Sequence, residues 1–246
     1  MENQKSLLSR AVRVIDSISR NRKDLRFSDI SRVLDNPSPS TVNKILKVLT
    51  EEGVLRKTSE GRYTLGRKIY FWGRVMADHN TPIQIIREQM KYLHEQYRVS
   101  VNVFTCVDQT MFCLECYMDS RSPLLYPAGK SLQLQLSVQG AVFFIPPEKL
   151  HDPAFLEKEA ADHEEPLRVK DLEKMIRYAE ENDLQDDFAL FYPGMHRFSV
   201  PLRENGQTVM TLGVGISVKR TLEGDLTERI VSDLQQIRTR IETSFE

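Results

Sequence analysis

Apolar residues recur every three or four positions up to Gly53, a pattern that predicts three amphipathic helices. The first covers residues 7–18 and the second is a short helix around Ile30. The third has its own start and stop signals, because Ser38 can cap it, Pro39 suits its first position and Gly53 can end it in a left-handed conformation. A short helix, a turn and a longer helix in this order are typical of a helix-turn-helix.

The exposed face of the predicted third helix is polar and cationic. Its buried face carries Val42, Ile45, Leu46 and Leu49, and its exposed face carries Ser40, Thr41, Asn43, Lys44 and Lys47. No carboxylate interrupts the exposed face before Glu51. Small polar and basic side chains suit contacts with phosphates and base edges. An ordinary amphipathic helix with a solvated face is the alternative interpretation.

Two short segments after Gly53 predict a β-hairpin. Residues 54–57 and 62–65 flank the turn-forming residues 58–61. Arg56, Lys57 and Arg62 would then lie near a phosphate backbone or an adjacent minor groove, as in the wing of a winged helix. A hairpin with ordinary surface charge is the alternative.

The remaining pattern predicts a second domain of mixed helices and strands after a boundary at residues 78–82. An aromatic helix with Phe71 and Trp72 precedes this boundary. Beyond it we expect a helix over 82–97, strands at 99–106 and 111–117, a buried helix at 134–145, a surface segment at 151–166, a helix at 172–182, strands at 188–191 and 198–202, a hairpin at Asn205-Gly206 and a final helix at 226–241.

Charge divides the chain in the same place. Residues 1–75 contain 16 Lys and Arg against 8 Asp and Glu, whereas the rest contains 18 against 27, so a net charge of +8 is followed by one of −9. A basic segment attached to an acidic one indicates that only the first meets a polyanion such as nucleic acid.

Several classes of protein fit the sequence poorly. No stretch reaches the ~18 consecutive apolar residues of a membrane span, and the first residues lack the apolar core of a signal peptide. Three cysteines indicate a reducing compartment, so we expect a cytoplasmic protein. None of the five histidines has the spacing of a catalytic triad or a metal site, and no cofactor motif is present. We therefore expect neither an enzyme nor a metal protein.

Three short motifs resemble the isocitrate lyase regulator (IclR) family of bacterial transcription factors. They are Ser9-Arg10-Ala11-Val12-Arg13-Val14-Ile15, Ser40-Thr41-Val42-Asn43-Lys44-Ile45-Leu46 and Arg62-Tyr63-Thr64-Leu65-Gly66. A typical member has arginine at the position of Lys44, so a bidentate donor is replaced by a point charge. In the second half, Pro193-Gly194, Ser199-Val200-Pro201, Gly206 and residues 226–229 match the family's landmarks in order.

The resemblance implies an α+β protein, in which an N-terminal winged helix-turn-helix domain is joined by a linker helix to a GAF-like α/β effector-binding domain. The expected boundaries are residues 1–66, 67–81 and 82–246. It further implies a homodimer or homotetramer that binds double-stranded DNA at a near-palindromic operator and responds to a small-molecule effector. The expected DNA-binding residues are Ser38, Ser40, Thr41, Asn43, Lys44, Lys47, Arg56, Lys57 and Arg62.

The resemblance also places a ligand pocket between the central sheet and its covering loops. The residues at the matching positions are Gly140, Ala141, Asp187, Arg197, Gly213 and Gly215. If Arg197 points inward, an organic or aromatic acid is a suitable ligand, because a guanidinium group pairs with a carboxylate. The alternatives are an exposed Arg197 at a strand start and glycines that serve only close packing of the sheet.

Cys106, Cys113 and Cys116 leave a redox- or metal-responsive DNA-binding regulator as the alternative function. A structural zinc site needs four ligands, and these three residues supply too few. In a regular strand Cys113 and Cys116 point to opposite faces, since side chains alternate. Buried, unreactive thiols are the simpler interpretation.

Overall fold

The computed structural model describes residues 6–20, 24–79, 81–121, 126–163 and 165–245. The chain forms two compact units, the N-terminal unit Met1–Asn80 and the C-terminal unit Thr81–Glu246. Within the described ranges no helix is both long and apolar enough to cross a membrane.

The N-terminal unit is a winged helix-turn-helix followed by one further helix. Its elements are α1 (Leu7–Arg20), α2 (Phe27–Val33), α3 (Pro39–Glu51), the antiparallel strands β1 (Leu55–Lys57) and β2 (Tyr63–Leu65), and α4 (Arg67–His79). Leu25 forms an additional bridge to Tyr63. The three helices and the hairpin that the sequence predicts here are confirmed.

Apolar residues from every element of this unit meet in one small core. Val14 of α1, Ile30 of α2 and Val42 of α3 are fully buried there, together with Leu55 and Tyr63 of the hairpin. The helix ends are fixed locally, because Ser38 caps α3 and Gly53 has a φ of +71°. The core therefore holds α3 with its polar face outward.

Helix α4 contributes little to this core and exposes most of its apolar residues. Ile69 packs against the core, and Lys68 makes an ion pair of 2.9 Å with Glu52. The exposed apolar side chains are Tyr70, Phe71, Trp72, Val75 and Met76. These residues are called the aromatic face of α4 below.

The C-terminal unit is built on an antiparallel six-stranded sheet. In chain order its strands are β3 (Ser100–Val107), β4 (Thr110–Tyr117), β5 (Ser131–Gln133), β6 (Gln185–Asp186), β7 (Met195–Glu204) and β8 (Gln207–Ser217), and in space they are ordered β5-β4-β3-β8-β7-β6. The turn at Asn205-Gly206 joins the two longest strands, as the sequence predicts.

Helices cover both faces of this sheet. They are α5 (Thr81–Tyr97), α6 (Pro147–Leu150), α7 (Pro153–Ala161), α8 (Val169–Asn182) and α9 (Leu226–Glu242). One sheet face is apolar and packs on α5 and α9, with Val101, Phe198 and Val214 in this core. The other face belongs to a second core, which includes residues of α7, α8 and the segment 134–145.

Two predictions for the second unit are wrong and a third is incomplete. Segment 134–145 is not a buried helix but a series of turns with one 3-10 turn at Ala141–Phe143. Gly140 lies in the left-handed region there, with a φ of +81°, and interrupts any helix. Because nearly every residue of the segment is buried, its apolar residues show no periodicity that distinguishes a helix from other structure.

The predicted strand at 188–191 is a turn, since Phe188 and Ala189 both have positive φ angles. The predicted surface segment at 151–166 contains α7, which buries Phe155 and Leu156. Asp152 caps this helix, and its exposed face carries Glu157 and Lys158. Residues 122–125, where the sequence leads into Leu124 and Leu125, lie outside the described part of the chain.

Candidate nucleic-acid interface and ligand site

Three hydroxyl groups cluster at the N-terminus of α3. Ser38 Oγ lies 3.0 Å from Ser40 Oγ and 2.9 Å from Thr41 Oγ1. The same oxygen accepts from the backbone N–H of Thr41 at 3.4 Å. The N-terminus of a helix carries partial positive charge and free N–H groups, so this end of α3 can receive a phosphate.

A groove of about 650 Å³ separates α3 from the wing. It is lined by Ser40, Asn43, Lys44, Leu46, Lys47, Thr50, Glu51, Lys57 and Tyr63. Five of the nine predicted DNA-binding residues line it, which are Ser40, Asn43, Lys44, Lys47 and Lys57. The groove is therefore made by the helix and the hairpin together, with basic and amide side chains along its apolar lining.

The basic residues of this surface differ in how free their charges are. Lys44 is exposed, whereas Lys47 lies 3.8 Å from Glu51 one turn later on the same helix. Arg62 lies 3.3 Å from Glu60 in the wing. Arg56 is exposed on β1 and is not among the residues that line the groove.

Sequence reasoning missed two residues of the groove that matter for its chemistry. Glu51 places a carboxylate at its far end, and Tyr63 forms part of its floor, with Lys57 Nζ 5.6 Å from the ring centroid. The spacing Lys47-x-x-x-Glu51 was a signal for the ion pair, because residues four apart are neighbours on a helix.

In the C-terminal unit, the predicted ligand residues come together on one face of the sheet. Ser100, Gly215 and Arg197 lie side by side on β3, β8 and β7, and the next row consists of Asn102, Gly213 and Ser199. Thr211 of β8 follows in the third row. Gly140 and Ala141 lie in the covering segment 134–145.

Arg197 points inward and is only 3% exposed, which excludes the alternative of an exposed arginine. Its Nε donates to Asp187 Oδ2 at 2.6 Å, and its Nη1 donates to the carbonyl of Ser137 at 3.1 Å. Its guanidinium carbon lies 4.7 Å from the ring centroid of Tyr192. Its Nη2 has no hydrogen-bond partner among the described residues.

Asp187 is fully engaged by the surrounding backbone. Besides Arg197 Nε, its carboxylate accepts from the N–H of Arg197 at 2.9 Å and from that of Ala189 at 3.0 Å. It is 1% exposed. Arginine and aspartate thus form a buried, charge-neutral pair that crosses from β7 to the turn after β6.

A glutamine that sequence reasoning passed over lies on the polar face of the sheet. Gln139 Nε2 donates to the carbonyls of Phe198 and Val214 at 2.8 and 3.0 Å, and its Oε1 accepts from Asn102 at 3.0 Å. A side chain at Gly213 would collide with this amide. The glycine therefore serves close packing in this structure, as one of the two interpretations holds.

Gly140 has a similar packing role. A side chain there would collide with the hydroxyls of Thr211 and Ser199. Both hydroxyls are buried without a hydrogen-bond partner among the described residues, as is Asn102 Oδ1. Buried polar atoms without partners are few in folded proteins, so their concentration on this face distinguishes it from an ordinary core.

One group of side chains in the described ranges has the composition of a metal site. Ligand atoms of Asp186, Asp187 and His196 all lie within 4.8 Å of one another. His196 Nε2 is 2.5 Å from Asp186 Oδ1, and Asp187 is committed to Arg197. The arginine already supplies the positive charge that a metal ion would bring, so ion pairing accounts for this group.

The three cysteines are placed differently from the prediction. Leu114 forms a β-bulge, because Val103 pairs with Glu115 while Phe104 pairs with Cys113. The extra residue shifts the alternation of side chains by one position. Cys113 and Cys116 therefore point to the same face and not to opposite ones. Burial raises the pKa of Cys113 to about 12 and also raises that of Cys106. Protonated thiols are poor nucleophiles and metal ligands, which speaks against a redox or metal function.

Comparison with known proteins gives a result for each unit. Residues 7–59 match the sequence profile of the IclR helix-turn-helix domain. The N-terminal unit contains an IclR-type helix-turn-helix. The resemblance to the IclR family that the sequence motifs indicate is thereby confirmed. No curated protein sequence matches the chain.

Solved structures of IclR regulators share the fold along nearly the whole chain. An IclR regulator from Alicyclobacillus acidocaldarius has a TM-score of 0.77 at 14% identity, with 99% of this chain and 100% of that one covered. An IclR homologue from Microbacterium hydrocarbonoxydans, complexed with 4-hydroxybenzoate, has a TM-score of 0.69 at 17% identity, with 98% and 99% covered.

A third structure, the IclR protein of Thermotoga maritima, has a TM-score of 0.59 at 18% identity, with 97% of this chain and 98% of that one covered. At these identities the comparisons show the fold. An IclR-type helix-turn-helix followed by a mixed α/β unit with an antiparallel sheet is the architecture that the sequence motifs imply.

Proposed function

We propose that this IclR-type protein is a transcriptional regulator that binds an operator through the groove between α3 and the wing, and that a small molecule in the C-terminal unit controls this binding. The observation that carries the proposal is the groove itself. Asn43, Lys44 and Lys47 of the helix face Lys57 of the hairpin across it. The surface of the unit is basic, as expected for a partner that carries phosphates.

In the proposed complex α3 enters the major groove. Ser38, Ser40 and Thr41 contact phosphates at its N-terminal end, where the helix dipole favours anions. Asn43 suits adenine and Lys44 suits guanine. Arg56, Lys57 and Arg62 of the wing contact the backbone or the neighbouring minor groove. Since genomic DNA is the target, the proposed location is the cytoplasm.

The aromatic face of α4 supports a homo-oligomer, a dimer or a tetramer. Exposed aromatic side chains this close together mark an interaction surface. A second copy of the chain is the proposed occupant, because two copies would present two α3 helices to the half-sites of a near-palindrome. Light scattering should then show a smaller mass for Phe71→Glu than for the parent protein. An unchanged mass would remove this face from the interface.

The proposed effector is an organic or aromatic acid bound through Arg197, in the site whose other predicted residues are Gly140, Ala141, Asp187, Gly213 and Gly215. Two observations support this class. Arg197 offers an Nη2 that no described residue partners on the polar sheet face, and the structurally similar Microbacterium protein was crystallised with 4-hydroxybenzoate. Titration of Arg197→Ala with acids that bind the parent should show weaker binding.

The proposed function is tested by recovering genomic DNA fragments on the purified full-length protein. We expect a small set of enriched sites that share a near-palindromic sequence. The double variant Asn43→Ala/Lys44→Ala should lose this enrichment while keeping its fold by circular dichroism. Equal recovery of all fragments by the parent protein would contradict a sequence-reading regulator, and the neighbouring genes of enriched sites would indicate the class of effector.

A further inference from the structure

The ion pair of Arg197 and Asp187 places a condition on any acidic ligand of this unit. The cation is already neutralised by a carboxylate at 2.6 Å, and both side chains are almost completely buried. A second carboxylate added to this pair would leave an uncompensated negative charge in the interior, which is strongly unfavourable. A carboxylate that takes the place of Asp187 on Arg197 avoids this cost.

Arg197 can nevertheless donate a further hydrogen bond to a ligand. Its Nη2 is buried and without a hydrogen-bond partner among the described residues, so the fork of its two terminal nitrogens is only half used. The unpartnered hydroxyls of Ser199 and Thr211 lie on the same sheet face, in the next two rows. A carboxylate on Arg197 would satisfy Nη2, whereas the two hydroxyls stay covered by Gly140.

Asp187 belongs to a turn with a strained backbone. Phe188 and Ala189 follow it with φ angles of +47° and +57°, in the left-handed region that residues with side chains avoid. The turn is held by the carboxylate itself, because Asp187 Oδ1 accepts from the N–H of Ala189. Asp187 thus contacts both the arginine and the strained turn, and Asp186 also holds this turn by accepting from the N–H of Phe188 at 2.8 Å.

The same turn covers the arginine. Tyr192 lies over the guanidinium, and its hydroxyl is hydrogen-bonded to that of Tyr126. Gly194, with a φ of +85° and open space around it, lies at the far end of the turn, just before β7. Moving Asp187 outward would therefore move residues 187–194 and uncover the guanidinium beneath Tyr192.

We propose that Asp187 is the resident counter-ion of Arg197, and that an acidic ligand binds by displacing it together with the turn 187–194. This inference rests on the proposed function, which supplies the acidic ligand. The exchange conserves the buried charge, since one carboxylate replaces another. It also makes a conformational change obligatory for binding, so the signal to the rest of the protein begins at this turn.

The experiment compares Asp187→Asn with the parent full-length protein, using benzoate as the probe and benzamide as its neutral counterpart. Asparagine keeps the shape and the oxygen that Ala189 needs but removes the competing charge. Melting temperature is followed as each compound is added at constant ionic strength, since a ligand that binds the folded state raises it. Asp186→Asn is the matched control for removing a turn carboxylate, because Asp186 pairs with His196 and accepts from the N–H of Phe188, whereas Arg197 is paired with Asp187.

We expect benzoate to bind Asp187→Asn at least tenfold more tightly than it binds the parent or Asp186→Asn, with benzamide unaffected. If Asp187→Asn has no melting transition alone, benzoate should restore one and benzamide should not. Similar benzoate affinities for Asp187→Asn and the parent, no effect of benzoate on Asp187→Asn, or a preference for benzamide would overturn the proposal.

Hydrogen exchange gives a second measurement on the parent protein. Under saturating acid, the amides of residues 188–190 should exchange faster than in the free protein, because the turn has left its place. Slower or unchanged exchange would also overturn the displacement. Such a failure would leave operator binding untouched, since recovery of genomic fragments tests the regulator itself.

Discussion

Replacing Lys44 by alanine is expected to weaken DNA recognition at one base pair. Lys44 is exposed on the middle of α3 and lines the groove, so its ammonium group is available to a base edge. A lysine contact to guanine contributes about 1–3 kcal/mol of discrimination. The dissociation constant for the operator should therefore rise about 5- to 150-fold. Stability should hardly change, since alanine and lysine are both good helix formers.

Lys47→Ala is the matched comparison on the same helix. Lys47 lies 3.8 Å from Glu51 and must give up part of this ion pair to meet DNA. An exposed pair four residues apart contributes about 0.3–0.5 kcal/mol. Lys47→Ala should thus cost less affinity than Lys44→Ala by at least this amount. Lys68 on α4 pairs with Glu52 and does not line the groove, so Lys68→Ala serves as a control.

Fluorescence anisotropy with a labelled operator, single-base variants and random duplexes distinguishes the roles. A base contact predicts that Lys44→Ala loses affinity for the operator but not for random DNA. A phosphate contact, expected for Arg56, predicts equal loss on all sequences and a salt slope reduced by about one. Equal losses on operator and random DNA for Lys44→Ala would refute its role in reading bases.

Three further predictions concern stability and reactivity. Gly140→Ala should lower the free energy of unfolding in urea by about 2 kcal/mol or more, because the new side chain collides with the Thr211 hydroxyl and also takes a positive φ. Gly129→Ala is the control. Its φ is +79° but no described residue is in the way of the side chain, so it should show only the cost of the positive φ. Hydrogen bonds from Arg203 lower the pKa of Asp183. The stability that this ion pair contributes is therefore complete above pH 3.8, the ordinary pKa, and is lost as the pH falls through the lower pKa of the folded state. In Asp183→Asn the urea midpoint should vary less with pH in this acidic range. Cys113, with a pKa of about 12, should resist iodoacetamide at pH 8 in the native protein and react in urea, as peptide mass spectrometry would show.

The N-terminal unit was predictable from sequence because its signals are local. Ser38, Pro39 and Gly53 set the ends of α3 within the helix itself, and the apolar period of the helix assigns each side chain to a face. The exposed residues of α3 follow from the same pattern. The place of Tyr63 in the groove could be found only from the tertiary structure, because the sequence of a short strand does not show which surface a buried aromatic ring lines.

The candidate ligand site was less predictable because its contacts are long-range. Nothing in the spacing of Gln139 indicates that its amide bonds to Phe198 and Val214, which are 59 and 75 residues away. The turn at 188–191 was mistaken for a strand because its apolar residues match a short strand in composition. Its conformation depends on Asp187, whose role is set by Arg197 across the sheet edge.

The two units use positive charge in opposite ways, and salt should act on them in opposite senses. On α3 the lysines are exposed, so phosphates attract them over distance and added salt weakens binding. Arg197 is buried and neutralised, and residues 76–246 carry a net charge of −9, so an approaching acid is repelled until it reaches the guanidinium. Added salt screens this repulsion beyond a Debye length of about 8 Å but hardly affects a buried pair. Selectivity for an acid must therefore come from the short-range exchange at Arg197 and not from attraction by the unit as a whole.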